Sequence, residues 1–356
     1  MSIAIQPYGK APSGAPVELY TMTNTSGASV SIASYGGIIV AIRVPDRRGE
    51  LNNVVLGYPG IEGYTPLHGY LGALIGRVGN RIGKGEFELN GKQYRMAKNE
   101  NGKTHLHGGA VGFDRRIWEV TPVEGICQDS LILKYTSPDG EENYPGTLRV
   151  MVTYTFTDEN ELILRYEAVA DADTPCCLTN HVYFNLAGEG SGPIDDHVFE
   201  INSDTFTVVD ADFIPTGEQR DVTGTPFDLR QPVRFGDRGY DLSDEQMAFA
   251  LGYDHNFNIC DYEVGMRFAA GVSEPVTGRT LDVFTDMPAV QFYAGNQLEG
   301  INPGFCGRPY GKNEGFCLET QYAPDSVNHP EWMDTILRAG EKYDFTTVFS
   351  FGVQAD

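Results

Sequence analysis

The chain has 356 residues, 41% of them hydrophobic and 21% charged, which is enough apolar mass for a sizeable core and too little charge for a disordered chain. Acidic residues outnumber basic ones by 49 to 26, and the net charge of −23 excludes a basic nucleic-acid footprint and disfavours anionic ligands. No apolar run approaches the ~18 residues of a membrane span. The N-terminus lacks a signal-peptide pattern, and the six cysteines lack zinc-site spacing, as expected of reduced thiols in a cytoplasmic protein.

Alternating β-branched and aromatic stretches predict strands at 29–34, 37–44, 85–89, 131–135, 147–157, 162–170, 199–209, 280–285, 289–294 and 346–353. Asn90-Gly91, Asp139-Gly140 and Asp158-Glu159-Asn160 supply turns between them. Helical periodicity is confined to short pieces at 243–250 and 330–332. No linker, repeat or low-complexity tract interrupts the pattern. Strands without intervening helices imply an all-β fold, antiparallel sheets packed face to face in one large β-sandwich domain spanning 1–356. A division near 188–193 is the lesser alternative.

Polar residues recur at strand spacing along this frame. GRVGNRI at 76–82 sets two arginines, Arg77 and Arg81, about Asn80, fixed donors for a polar ligand or a loop tied by ion pairs. THLHGG at 104–109 puts His105 and His107 on one face if extended, a weak metal signal without a third ligand. TNHVYFNL at 179–186 reads as a strand with His181, Tyr183 and Asn185 on one face and Val182, Phe184 and Leu186 on the other. Asp254 in DHNF is either a hydroxyl acceptor or an ordinary turn aspartate. In VQFYAGNQLEG, Gln291 and Tyr293 share a face opposite Val290 and Phe292. In CLETQ, Glu319 sits mid-strand, where burial would raise its pKa toward the range of a general base. There is no nucleophile elbow, P-loop or dinucleotide fingerprint, so no cofactor is expected.

Taken in order, GRVGNRI, LHGG with the following GFD and Trp118, TNHVYFNLAG, DHNF, VQFYAGNQLEG and CLETQ with PDSVN resemble the aldose 1-epimerase (galactose mutarotase) family from about residue 30 to 350. The resemblance implies an antiparallel β-sandwich with a sugar site on one sheet, and interconversion of the α and β anomers of free hexoses such as galactose and glucose. It implies His181 as general acid, Glu319 as general base, and Asn80, Arg81, His107, Tyr183, Asp254 and Gln291 as sugar-binding residues, with no metal. His105 matches nothing in the family pattern, and Val182 replaces a common serine. Asp254 is the candidate for holding His181 protonated. The loops 302–314 and 60–70 are expected to select among aldoses. The partner is a neutral small molecule, and the state a monomer or homodimer. Two alternatives stand beside this reading: a retaining glycoside hydrolase using Asp254 and Glu319 as its carboxylate pair, and a non-catalytic sugar sensor.

Overall fold

The computed structural model describes residues 2–65, 69–300 and 302–354. The fold is all-β, and its backbone is an antiparallel sheet of nine strands. Along one half of it run Glu119–Val123, Gln128–Ser137, Leu148–Thr157 and Glu161–Ala170, joined by short turns. The long strand Lys342–Val353 pairs with Glu161–Ala170 on one side and Arg279–Thr285 on the other, so the C-terminal segment closes the middle of the sheet. A second sheet of five strands stands against it: β1 (Ser203–Val209), β2 (Pro215–Asp221), β3 (Asp254–Ile259), β4 (Ala289–Tyr293) and β5 (Cys317–Gln321), in the order β2-β1-β3-β4-β5.

Alternation explains the packing. Phe206, Phe257, Val290, Phe292 and Leu318 project from one face of this smaller sheet into one core with Tyr154, Leu164, Val283, Phe349 and Phe351 of the large sheet. Phe292 stacks among Phe199 and Tyr253 at ring distances of 4.8 and 4.9 Å, so it is a core residue. The opposite face of the small sheet carries polar residues on every strand. A third sheet, Ser2–Lys10 through Leu51–Asn53, flanks the sandwich; its first two strands had no counterpart among the expected ones.

The Asn90-Gly91 signal is a two-residue hairpin turn, with both residues at positive φ between Glu86–Leu89 and Lys92–Arg95. Three expectations need revision. The run 199–209 is two strands, because the chain switches sheets at Asn202: Val198–Ile201 pairs in the large sheet and Ser203–Val209 in the small one. The stretch 330–332 is a single turn in which Trp332 N–H donates to His329 O and the two rings stack at 4.1 Å. The expected strand TNHVYFNL pairs as a strand only at Thr179–Asn180 and touches its neighbours again at Phe184. Its alternation survives, with Val182, Phe184 and Leu186 buried in the core. All six cysteines are unbridged. Among the described residues no helix is long and apolar enough to cross a membrane.

Candidate active site

Antiparallel register builds the floor of the site. Gln291 lies opposite Glu319 on one side and Asn256 on the other, and Tyr293 lies opposite Cys317 and Asp254. Two polar rows therefore cross β3, β4 and β5 on the face away from the core. Gln291 Nε2 donates to Asp254 Oδ1 at 2.7 Å, and Gln321 Nε2 donates to Asn256 Oδ1 at 3.2 Å and to Gln291 Oε1 at 3.3 Å. These amides hold one another in a fixed lattice.

The wall comes from three distant segments. His181 and Tyr183 project over the floor, their rings 5.0 Å apart. Residues 80–82 and 105–107 form a minimal ribbon in which Arg81 pairs with Leu106 and Ile82 with His105. Asn80 and His107 bracket it at φ of 58° and 50°. These turns are braced reciprocally: His107 N–H donates to Asn80 O at 2.9 Å, and Asn80 N–H donates to His107 Nδ1 at 3.2 Å. The turn at His107 also separates the two histidines that an extended THLHGG would have placed on one face. His105 points away, its ring nitrogens bonded to Ala97 O and Tyr144 Oη at 2.9 and 2.8 Å. His107 enters the site, with its ring 5.1 Å from that of His181.

Arg81 is held from behind. Its Nε and Nη2 donate to the two carboxylate oxygens of Glu100 at 2.8 and 2.7 Å, and Thr104 Oγ1 donates to the same carboxylate. Asn80 Oδ1 accepts from Arg81 N–H at 2.9 Å and lies 3.4 Å from Nη1. Asn80 thus braces the arginine as well as lining the turn.

At the centre, His181 Nε2 approaches Glu319 Oε1 to 3.6 Å, with both side chains buried. Among the described residues Glu319 Oε2 has no hydrogen-bond partner. Burial pushes the Glu319 carboxyl well above the usual carboxylate range; the Asp254 charge adds to this and the Arg81 cation opposes it. Burial pulls His181 down to about 4 and His107 well below the ordinary histidine range. Asp254 is raised by burial, against the pull of Arg81 and Gln291. The carboxylate beside His181 is therefore Glu319, whereas the sequence pointed to Asp254 for that place; Asp254 is engaged by Gln291.

All eight residues singled out from the sequence gather here. Asn185 does not join them: its Nδ2 ties the chain to Gly192 O and Glu314 O, both at 2.9 Å. Two tyrosines and a glutamate were missed. Tyr70 lies 4.6 Å from the His107 ring and 5.9 Å from that of His181, and Tyr293 lies 6.3 Å from His181. The shared face of Gln291 and Tyr293 was a signal for the second; Tyr70 and Glu100 sit in loops that carry no periodic signal. Tyr70 also brings the 60–70 loop to the site, although Pro66, Leu67 and His68 lie outside the described residues.

His107, His181 and Glu319 offer donor atoms within 4.8 Å of one another, a spacing that a divalent cation could span. The fit fails at His107. Its Nδ1 accepts a backbone N–H, which puts the ring proton on Nε2 and leaves neither nitrogen with a lone pair for a metal.

The comparisons agree with this architecture. The aldose 1-epimerase family model matches residues 18–350. The chain is 45% identical over 353 residues to galactose mutarotase of Bos taurus, covering 99% of each chain. It is 35% identical over 343 residues to aldose 1-epimerase of Escherichia coli K12, covering 96% of this chain and 97% of that one. The crystal structure of an aldose epimerase homologue from C. elegans superposes with a TM-score of 0.86 at 29% identity, covering 95% of this chain and 99% of that one. The chain belongs to the aldose 1-epimerase family. It is an isomerase, a carbohydrate mutarotase, and the glycoside-hydrolase alternative falls away.

Proposed function

We propose that His181 and Glu319 open and close the ring of a free hexose such as galactose or glucose, interconverting its anomers by paired proton transfer. The observation that carries this reading is the 3.6 Å approach of His181 Nε2 to Glu319 Oε1, both buried, on a floor of hydrogen-bonding side chains. In opening, Glu319 takes the proton of the C1 hydroxyl while His181 Nε2 gives one to the ring oxygen. The C1–O bond of the ring breaks and the C1 carbonyl forms. Rotation about C1–C2 exposes the other carbonyl face, and closure returns both protons.

After opening, the ring of His181 is neutral and Glu319 is protonated. Burial favours this pair of states, raising the carboxyl and lowering the imidazole, so the cleft stabilises the protein in the form that accompanies the open chain. Arg81 pulls Glu319 back toward the carboxylate needed for the next opening. General acid and base assistance is worth ~10²–10⁴-fold each.

Arg81, His107, Asp254, Gln291, Asn80 and Tyr183 hold the sugar, keeping the open chain near its closing geometry. His107 presents Nε2–H as a donor, consistent with its Nδ1 partner. The acidic surface favours a neutral free sugar over nucleic acid or a membrane surface. The chain works as one domain in the cytoplasm, as a monomer or a homodimer.

Polarimetry on freshly dissolved α-D-galactose tests the activity, with glucose alongside to rank the two. A faster approach to an unchanged final rotation is expected. Protein that binds both sugars and accelerates neither would be a sensor.

A further inference from the structure

Cys317 is a buried thiol beside the reacting groups that the mechanism above leaves idle. It lies on β5 two residues before Glu319, on the same face of the sheet, opposite Tyr293. Its Sγ is 3.4 Å from His181 Nδ1, and the residue is wholly buried. The groups facing this imidazole are Glu319 at Nε2, the rings of His107, Tyr70, Tyr183 and Tyr293 around its plane, and the Arg81 cation, whose charge reaches it across the cleft. The ring also bonds to its own backbone, which raises its pKa against the pull of burial, and the sulfur is the side-chain partner at Nδ1.

We infer that Cys317 is a positioning residue whose sulfur holds the Nδ1 proton of His181, so that Nε2 alone exchanges a proton with the sugar. The inference rests on the acid–base reading of His181 and Glu319. When imidazolium gives up its Nε2 proton, the neutral ring that remains carries its proton on Nδ1. That proton needs an acceptor before and after the transfer, or the ring relaxes to the other tautomer and Nε2 can no longer take the proton back. A thiol is a weak acceptor. A carboxylate in its place would hold the imidazolium and blunt its acidity. Burial, with the Glu319 and Asp254 charges, holds the thiol well above its usual pKa, so the partner stays uncharged.

The test uses the full-length protein with 15N-labelled histidine, its His181 signals assigned by their loss in His181→Asn. Nitrogen shifts report which ring nitrogen is protonated, and they are read together with the pH profile of mutarotation. In the unmodified protein Nδ1 should stay protonated on both sides of the His181 titration. Cys317→Ala should move the neutral ring toward the Nε2–H tautomer and lower kcat about tenfold with KM within about twofold, the worth of one hydrogen bond to a charged group. Cys317→Ser, whose hydroxyl accepts more strongly, should keep Nδ1 protonated, restore most of kcat and shift the His181 titration upward. An Nε2–H tautomer in the unmodified protein, or unchanged nitrogen shifts and pH profiles in both variants, would overturn the inference. Undiminished turnover in His181→Asn would instead remove the acid–base reading beneath it.

Discussion

Arg81 reaches the site with one edge of its guanidinium already committed. Nε and Nη2 are spent on Glu100, leaving Nη1 toward Asn80 and the cleft. Burial alone would lower the arginine, and the Glu100 pairing together with the Asp254 and Glu319 charges outweighs it, so the cation persists. That cation in turn opposes the rise of Glu319 and Asp254. Replacing Glu100 with Gln leaves a buried guanidinium half paired, and urea unfolding should show a loss of about 3 kcal/mol. Turnover should fall about tenfold or more as the fork loses its fixed orientation. Arg81→Lys should not restore it, because an ammonium cannot make the two-pronged contact. Full activity in Glu100→Gln would show that the arginine needs no brace.

At the level of elements, the 179–186 segment is held in place by contacts that no periodicity announces. His197 Nε2 accepts the backbone N–H of Leu186 at 2.9 Å inside the core, which requires a neutral ring. Burial holds that ring down to about 4, against 6.5 in an unfolded chain, with Glu274 opposing. The unfolded chain therefore binds this proton below pH 6.5 while the folded one does not until about 4. The stability His197 contributes is complete above 6.5 and drains away as pH falls through that window. His197→Ala should cost about 3 kcal/mol at pH 7.5, from the cavity and the stranded Leu186 donor. The drop in stability between pH 7.5 and pH 5, followed by urea unfolding, should then be smaller than in the unmodified chain; an equal drop would mean that His197 does not titrate in that window.

The same segment shows what could be read from the sequence. Its alternation placed His181 and Tyr183 opposite Val182 and Phe184, and the structure agrees, because a buried apolar row forces the other row outward. Asn185 obeyed the spacing and still missed the site, since its amide finds nearer carbonyls on Gly192 and Glu314. The register Gln291–Glu319 lay beyond any local pattern, as did the turn at His107 and the sheet switch at Asn202: each depends on long-range pairing or a single backbone angle.

Across the whole molecule, a net charge of −23 surrounds a site whose arginine is already paired with a carboxylate. A hexose phosphate should therefore be a poor substrate, with a KM that falls as salt screens the repulsion, while the KM for galactose stays flat. Equal KM values for the two sugars at low salt would contradict this. The central claim is that two buried groups, contributed by a segment at 179–186 and a strand at Cys317–Gln321, act as one proton-transfer unit. The most direct measurement is the mutarotation rate of galactose with the unmodified protein, His181→Asn, Glu319→Gln and the double variant, each confirmed folded by circular dichroism. Each single variant should lose most of its turnover, and the double variant should be little slower than the worse single one, because half of a paired transfer is of little use. Losses that multiply in the double variant, or a single variant that keeps its rate, would contradict the claim.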